Sequence, residues 1–182
     1  MAASIYPSPS EYLGSIKLPG GVEPGQWDGF HDLICIDEIA RCGFLGVIWA
    51  LSCGNVIGLP PVIIHGSAEQ KRRFIPDVLQ GRTRFCLGVT EPDAGSDVAG
   101  ITTTAVREGN VYKVNGSKKW ITNGIWADYS TMAVRTGGPG AKGLSVLVVP
   151  LKAKGVTLKK IQNSGVHASG KRRTPPTRRR GC

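Results

Sequence analysis

Phe85-Cys86-Leu87-Gly88-Val89-Thr90-Glu91-Pro92-Asp93-Ala94-Gly95-Ser96-Asp97-Val98 is the run that decides how this chain is read, together with the later Lys118-Lys119-Trp120-Ile121-Thr122-Asn123-Gly124. The first predicts a short apolar strand that breaks into a turn at Pro92, with glycines at 95 and 100. The second predicts a strand carrying Trp120 and Thr122 on one face, because residues i and i+2 of a strand point the same way. A flat aromatic cofactor needs such parts. It needs backbone groups that read a ring edge, a hydroxyl that bonds a ring atom, and an aromatic side chain that covers a face.

On the N-terminal side the pattern is helical. Residues 1–27 are rich in Pro, Gly and Ser and predict a loose lead-in. Asp28 caps a predicted helix whose apolar positions (30, 33, 34, 36, 39, 40, 44, 45, 47, 48 and 51) are spread widely enough for burial on most sides. Gly54 and Gly58 read as its end or a break. Cys42 to Ile64 carries no charge, but its glycines, Asn55 and Pro60-Pro61 favour a buried helix followed by a loop over a membrane span. Ser67-Ala68-Glu69-Gln70 is a capping box. It opens a helix that Pro76 interrupts or restarts and Gly81 stops. Lys71-Arg72-Arg73 reads as a solvated face of that helix.

On the C-terminal side the pattern changes to strands: Ile101 to Val106, Val111 to Val114, Lys118 to Thr122, Tyr129 to Arg135, Leu144 to Val149 and Val156 to Ile161. Glu108-Gly109-Asn110 and Asn115-Gly116 read as hairpin turns. Helices first and strands after define an α+β chain.

Composition excludes several classes. The net charge is +10, but six basic residues crowd into the tail from Lys171, where there is no acid, and the rest carries only +4. Five cysteines at 35, 42, 53, 86 and 182 form no Cys-x-x-Cys pair, which removes zinc and redox-motif readings. Their odd number fits reduced thiols in an intracellular compartment, cytoplasmic or organellar. The N-terminus reads as neither a signal nor a transit peptide, and the last residues are not a peroxisomal address. His31, His65 and His167 are dispersed, without metal spacing.

With these residues in view, the chain resembles the acyl-CoA dehydrogenase family of flavoproteins. Three segments carry the resemblance: Gly88 to Asp97, with Asp93 where Gly is more usual; Asn115 to Gly124; and His65-Gly66-Ser67-Ala68-Glu69-Gln70-Lys71. The resemblance implies a partial helical N-terminal domain over 28–84 and an antiparallel, barrel-like β middle domain over 85–170. A disordered basic tail, 171–182, follows. It implies FAD as cofactor, with Leu87, Gly88, Val89 and Thr90 along the flavin pyrimidine, and Trp120, Ile121 and Thr122 beside the isoalloxazine ring. It also implies that Gly95 and Ser96 contact an acyl-CoA substrate.

The implied reaction is removal of an α-proton by a Glu and transfer of the β-hydrogen to the flavin as hydride. The electrons then pass to an electron-transfer flavoprotein or to oxygen. The expected catalytic Glu belongs to a C-terminal helical bundle that lies beyond this sequence, and Glu91 matches a structural position of the motif. The expectation is therefore an inactive FAD-binding fragment with uncovered apolar surface, homo-oligomeric when full length. No membrane partner is expected. The rival reading is a nucleic-acid or acidic-partner binder that works through the Arg-rich tail. It lacks a recognition module in the body and aromatics between the basic residues.

Overall fold

The computed structural model describes residues 12, 18–164, 166, 172–173 and 179–181. Most of the expected lead-in, His167 and much of the basic tail lie outside these.

Single 3-10 turns at Pro19–Gly21 and Pro24–Gln26 lead to helix α1, Gly29–Ala40. Asp28 caps it as predicted: its carboxylate accepts the amides of Phe30 at 3.0 Å and His31 at 3.2 Å. The expected burial is not found. No residue of α1 is buried, and Phe30, Leu33, Ile34 and Ile36 are all more than half exposed. The apolar stripe is real, but no described element lies over it.

Four consecutive pieces then form one apolar helical run: α2 (Leu45–Ile48), a π-helical turn (Trp49–Cys53), α3 (Gly54–Gly58) and α4 (Pro60–His65). The glycines expected to break this run are instead where it touches the sheet. A Cβ on Gly54 would stand 2.6 Å from the Phe85 carbonyl oxygen, and one on Gly58 would stand 2.8–2.9 Å from the Cys86 backbone. Only glycine lets a strand lie this close to a helix. The prolines sit at the N-terminal end of α4, where a missing N–H costs least. By length and composition Leu45–His65 is apolar enough to cross a membrane; the buried helix expected here is buried at Leu59, Val62 and Ile63, while Leu45, Leu51 and Ile64 are more than half exposed.

Helix α5, Ala68–Leu79, starts at the predicted box, in which Ser67 Oγ accepts the Gln70 amide and the Gln70 side chain accepts the Ser67 amide. It runs through Pro76 without interruption and ends at Gly81, whose φ is 72°. Phe74, Ile75, Val78 and Leu79 on one face pack with Leu59 and Phe85. Phe74, Phe85 and Tyr129 meet with ring centres 5.0–5.4 Å apart. Each fully buried side chain here contributes about 1.5–3 kcal/mol.

The middle part is one mixed sheet. Its strands are β1 (Phe85–Gly88), β2 (Thr104–Glu108), β3 (Val111–Asn115), β4 (Tyr129–Arg135) and β5 (Leu144–Pro150). The α+β organisation is as expected, but the sheet is not wholly antiparallel. β1 pairs parallel with β4 from Phe85↔Tyr129 to Gly88↔Met132, and β2 meets β4 in parallel at Thr104↔Arg135. One edge of β4 is thus shared by β1 and β2, and β5 holds the other from Tyr129↔Pro150 to Arg135↔Leu144. The segment between β1 and β2 has to leave the sheet and return, and it carries the first motif.

Four further expectations are corrected. Strand β2 starts at Thr104 rather than Ile101, because the Thr102 and Thr103 amides bond a side chain instead of a neighbouring strand. The β2–β3 hairpin turns at Gly109, but Asn115-Gly116 is no hairpin turn: Gly116 lies against Thr103, where a Cβ would stand 2.3 Å from Oγ1. Of Val156 to Ile161 only β6, Lys159–Lys160, is a strand. The tail expected to be disordered supplies two short strands, β7 (Arg172–Arg173) beside β6 and β8 (Arg179–Gly181) along the edge of β3. Backbone pairing makes no demand on side-chain type, so a free sheet edge accepts a segment that composition marks as loop.

Candidate flavin-binding edge

Two motif runs far apart in sequence lie side by side. The Lys119 amide donates to the Thr90 carbonyl at 2.8 Å. Beside it, the Lys118 ammonium is 1% exposed and donates to the Val89 carbonyl at 2.9 Å and to Glu91 Oε1 at 2.8 Å. Glu91 is 4% exposed and also accepts the Thr102 amide, the Thr102 hydroxyl and the Thr103 amide. A buried carboxylate holding four donors closes the loop from 91 to 103, and the lysine ties that loop to the second motif.

The charges follow from these contacts. Burial raises the Glu91 pKa, but the bonds from Lys118, Thr103 and Thr102 outweigh it and bring the carboxyl from 4.5 down to about 2. Burial draws the Lys118 ammonium below the usual lysine range, and Glu91 opposes this. With so many donors on the carboxylate, the pair stands as an ion pair.

The second motif is not the strand the sequence suggests. Trp120 has φ 62° and Asn123 has φ 62°, both left-handed, and the chain turns from Ile121 to Trp126. Trp120 and Thr122 are therefore not placed by strand alternation. The left-handed residues cost of order 1 kcal/mol or more each. The buried Lys118 and the Lys119–Thr90 bond, both just ahead of it in the chain, and the Asn123–Ala50 bond after it hold Trp120 there. Trp120 is 45% exposed, with the Lys119 ammonium 5.0 Å from the ring centre. Asn123 Nδ2 donates to the Ala50 carbonyl at 2.9 Å, which fastens the loop to the π-helical turn.

The other sequence candidates fall into place around this edge. Leu87 is half-buried in β1 opposite Thr131. Gly88 is buried, and a Cβ there would stand 2.7 Å from Ser130 Oγ. Val89 and Thr90 are half-buried and offer their carbonyls to the second motif. Ile121 is buried beside Cys86, Ala127 and Leu151, and Thr122 is half-buried. Gly95 and Ser96 stand apart from these, exposed at the tip of the 91–103 loop. Sequence reasoning missed Lys118 and Asn123. Among the polar neighbours Asn115, Ser117 and Lys119 nothing local marked the first; the tolerance of Asn for left-handed backbone was the available signal for the second.

An α+β chain in which two loop motifs frame one edge with a half-exposed Trp is the class of molecule defined here. Residues 13–82 match the acyl-CoA dehydrogenase N-terminal domain and residues 86–174 the acyl-CoA dehydrogenase middle domain. The chain belongs to the acyl-CoA dehydrogenase family. It is 52% identical over 170 residues to an acyl-CoA dehydrogenase of Alternaria alternata, covering 93% of this chain and 39% of the relative. Its structure is similar to that of an acyl-CoA dehydrogenase from Geobacillus kaustophilus (TM-score 0.81, 31% identity, covering 96% of this chain and 44% of the other). It is also similar to an acyl-CoA dehydrogenase complexed with FAD from Bacillus anthracis (TM-score 0.78, 25% identity, covering 95% and 28%). The chain thus spans well under half the length of these proteins.

Proposed function

We propose that this chain supplies the FAD-contacting edge of an enzyme that oxidises an acyl-CoA thioester between its α and β carbons. The observation that carries the reading is the 2.8 Å bond from the Lys119 amide to the Thr90 carbonyl, which sets the two motifs side by side with a half-exposed Trp120 beside them. Leu87, Gly88, Val89 and Thr90 would read the edge of the ring, Trp120 would cover it, and Ile121 and Thr122 would support it. When bound, FAD supplies the electron acceptor that side chains lack. Fixed donors along a ring edge favour negative charge that develops there, and they do so best when already held in place. The ion pair beneath the edge provides that rigidity.

Glu91 does not serve as the proton-abstracting base. A carboxylate bonded to four donors and held down at about pKa 2 has little tendency to take a proton. The base is expected from the part of the longer relatives that this chain does not span. Gly95 and Ser96, exposed at the loop tip, are the proposed acyl-CoA contacts. An electron-transfer flavoprotein or oxygen is the proposed final acceptor, and the assembly is a homo-oligomer within the cell.

The test is a titration of FAD into the purified 182-residue protein, read by visible absorption and flavin fluorescence. A saturating perturbation that weakens about tenfold in Trp120→Ala is expected, given the worth of a stacked aromatic pair. FAD left unperturbed by the wild-type chain overturns the reading.

A further inference from the structure

Arg135 ends strand β4 and was not singled out by any sequence pattern. Its guanidinium donates to four backbone carbonyls that belong to two loops. Nε bonds Ile101 O at 2.9 Å and Nη2 bonds Ala99 O at 2.6 Å, both in the loop that carries Gly95 and Ser96. Nη1 bonds Gly138 O at 2.5 Å and Gly140 O at 3.0 Å, both in the glycine-rich connection from β4 to β5. The two loops abut: the single turns Val98–Gly100 and Ala141–Gly143 touch.

The surroundings are shaped for this grip. A Cβ on Gly143 would stand 2.8 Å from Arg135 Nη1 and would collide with the Gly138 carbonyl, so the loop wraps the guanidinium only with glycine there. The Arg135 amide donates to Thr103 O at 2.7 Å, fixing the return of the 91–103 loop. Ala94 and Ile101 from that loop pack on Ala133 of β4, with Leu144 against them. Among the described residues no carboxylate lies within ion-pair distance of Arg135. Four carbonyl dipoles solvate the half-buried cation, an arrangement that a planar fork of donors can span and a lysine ammonium cannot.

We propose that Arg135 is a positioning residue that rivets the Ser96 loop to the 136–143 loop, so that the two order, loosen and receive a ligand as one unit. Four of the five guanidinium N–H donors are taken by backbone carbonyls, so it acts through the loops and not on the ligand. Where it deepens the function above, the inference rests on Ser96 contacting a CoA thioester; the coupling of the loops stands without it.

Hydrogen exchange decides the coupling. The reporters are the amides of Val98, Gly100 and Ile101 in one loop and of Thr136, Gly137 and Gly143 in the other, all of which donate to backbone carbonyls. In Arg135→Met, exchange rises in both loops together, by about tenfold or more, since charged hydrogen bonds are the stronger kind. The β4–β5 ladder from Ser130 to Ala133 stays protected. Arg135→Lys behaves like the Met variant, because charge without the fork does not span four carbonyls. A rise in one loop only, in neither, or equally across the ladder overturns the proposal, as does rescue by lysine.

A second arm titrates a CoA thioester into the FAD-supplemented protein. In the wild type it slows exchange in both loops, and in Arg135→Met its affinity falls about tenfold while FAD affinity is unchanged. An unchanged thioester affinity in a loosened variant overturns the positioning role. If the wild type binds no thioester, the Ser96 substrate reading fails, and the exchange arm still decides whether Arg135 couples the loops.

Discussion

Removing one member of the Glu91–Lys118 pair leaves the other charged inside the protein. Lys118→Met is therefore expected to cost about 3–5 kcal/mol of stability, as does breaking other buried pairs from one side. The double variant Lys118→Met/Glu91→Gln recovers part of that loss, because it no longer buries a lone charge. Denaturant unfolding of both singles and the double forms a cycle that reads the coupling; simple addition of the single losses would refute it. The same carboxylate sets an acid limit. Its folded pKa of about 2 lies below its ordinary 4.5, so its stabilisation is complete above pH 4.5 and is lost as pH falls toward 2. That difference corresponds to about 3 kcal/mol. Unfolding free energy measured between pH 5 and 2 should decline with close to one extra proton bound on unfolding, and Glu91→Gln should flatten the slope. An equal slope in the variant would assign the acid loss to other groups.

The helix from Leu45 to His65 depends on what its glycines touch. Gly58→Ala places a Cβ 2.8–2.9 Å from the Cys86 backbone, and helix and strand must separate. Overpacking of this kind costs about 1–3 kcal/mol. Gly29→Ala, at the start of α1 with nothing within 4 Å of its added Cβ, is expected to be neutral or slightly stabilising. Thermal unfolding of the two variants separates them, and equal melting temperatures would show that the close contact is not needed.

The helix caps at Asp28 and Ser67 were legible because a cap and its partners lie within one turn. The close approach at Gly54 and Gly58 was not, because a glycine that admits a neighbour and a glycine that ends a helix look alike until the neighbour is known. The candidate site was legible as two runs of suitable residue types. The turn that puts Trp120 at positive φ was hidden, since its cause is a bond to Thr90 thirty positions away. Lys118 and Arg135 were hidden for the same reason: each serves partners that no local spacing reveals.

Across the molecule, one edge of β4 is divided between β1 and β2 while β5 lies along the other. The β4–β5 pairing closes only the short connection 136–143, whereas β1–β4 must close the long connection 89–128. Loop closure makes the first pairing the earlier event. Leu147→Ala, in β5, should therefore mainly slow folding, and Leu59→Ala, under β1, should mainly speed unfolding. Stopped-flow chevrons read both, and the opposite partition would reverse the order. This topology also dates the proposed flavin edge. Val89, Glu91 and Lys118 cannot shed their water until β1 has docked, so the edge becomes dry only after the β4–β5 hairpin has formed. A chain halted at the hairpin stage would already carry sheet, yet would have nowhere to seat a ring. The proposed capacity to recruit a cofactor thus arrives only with the docking of β1, and in a growing or refolding chain it would mark that step.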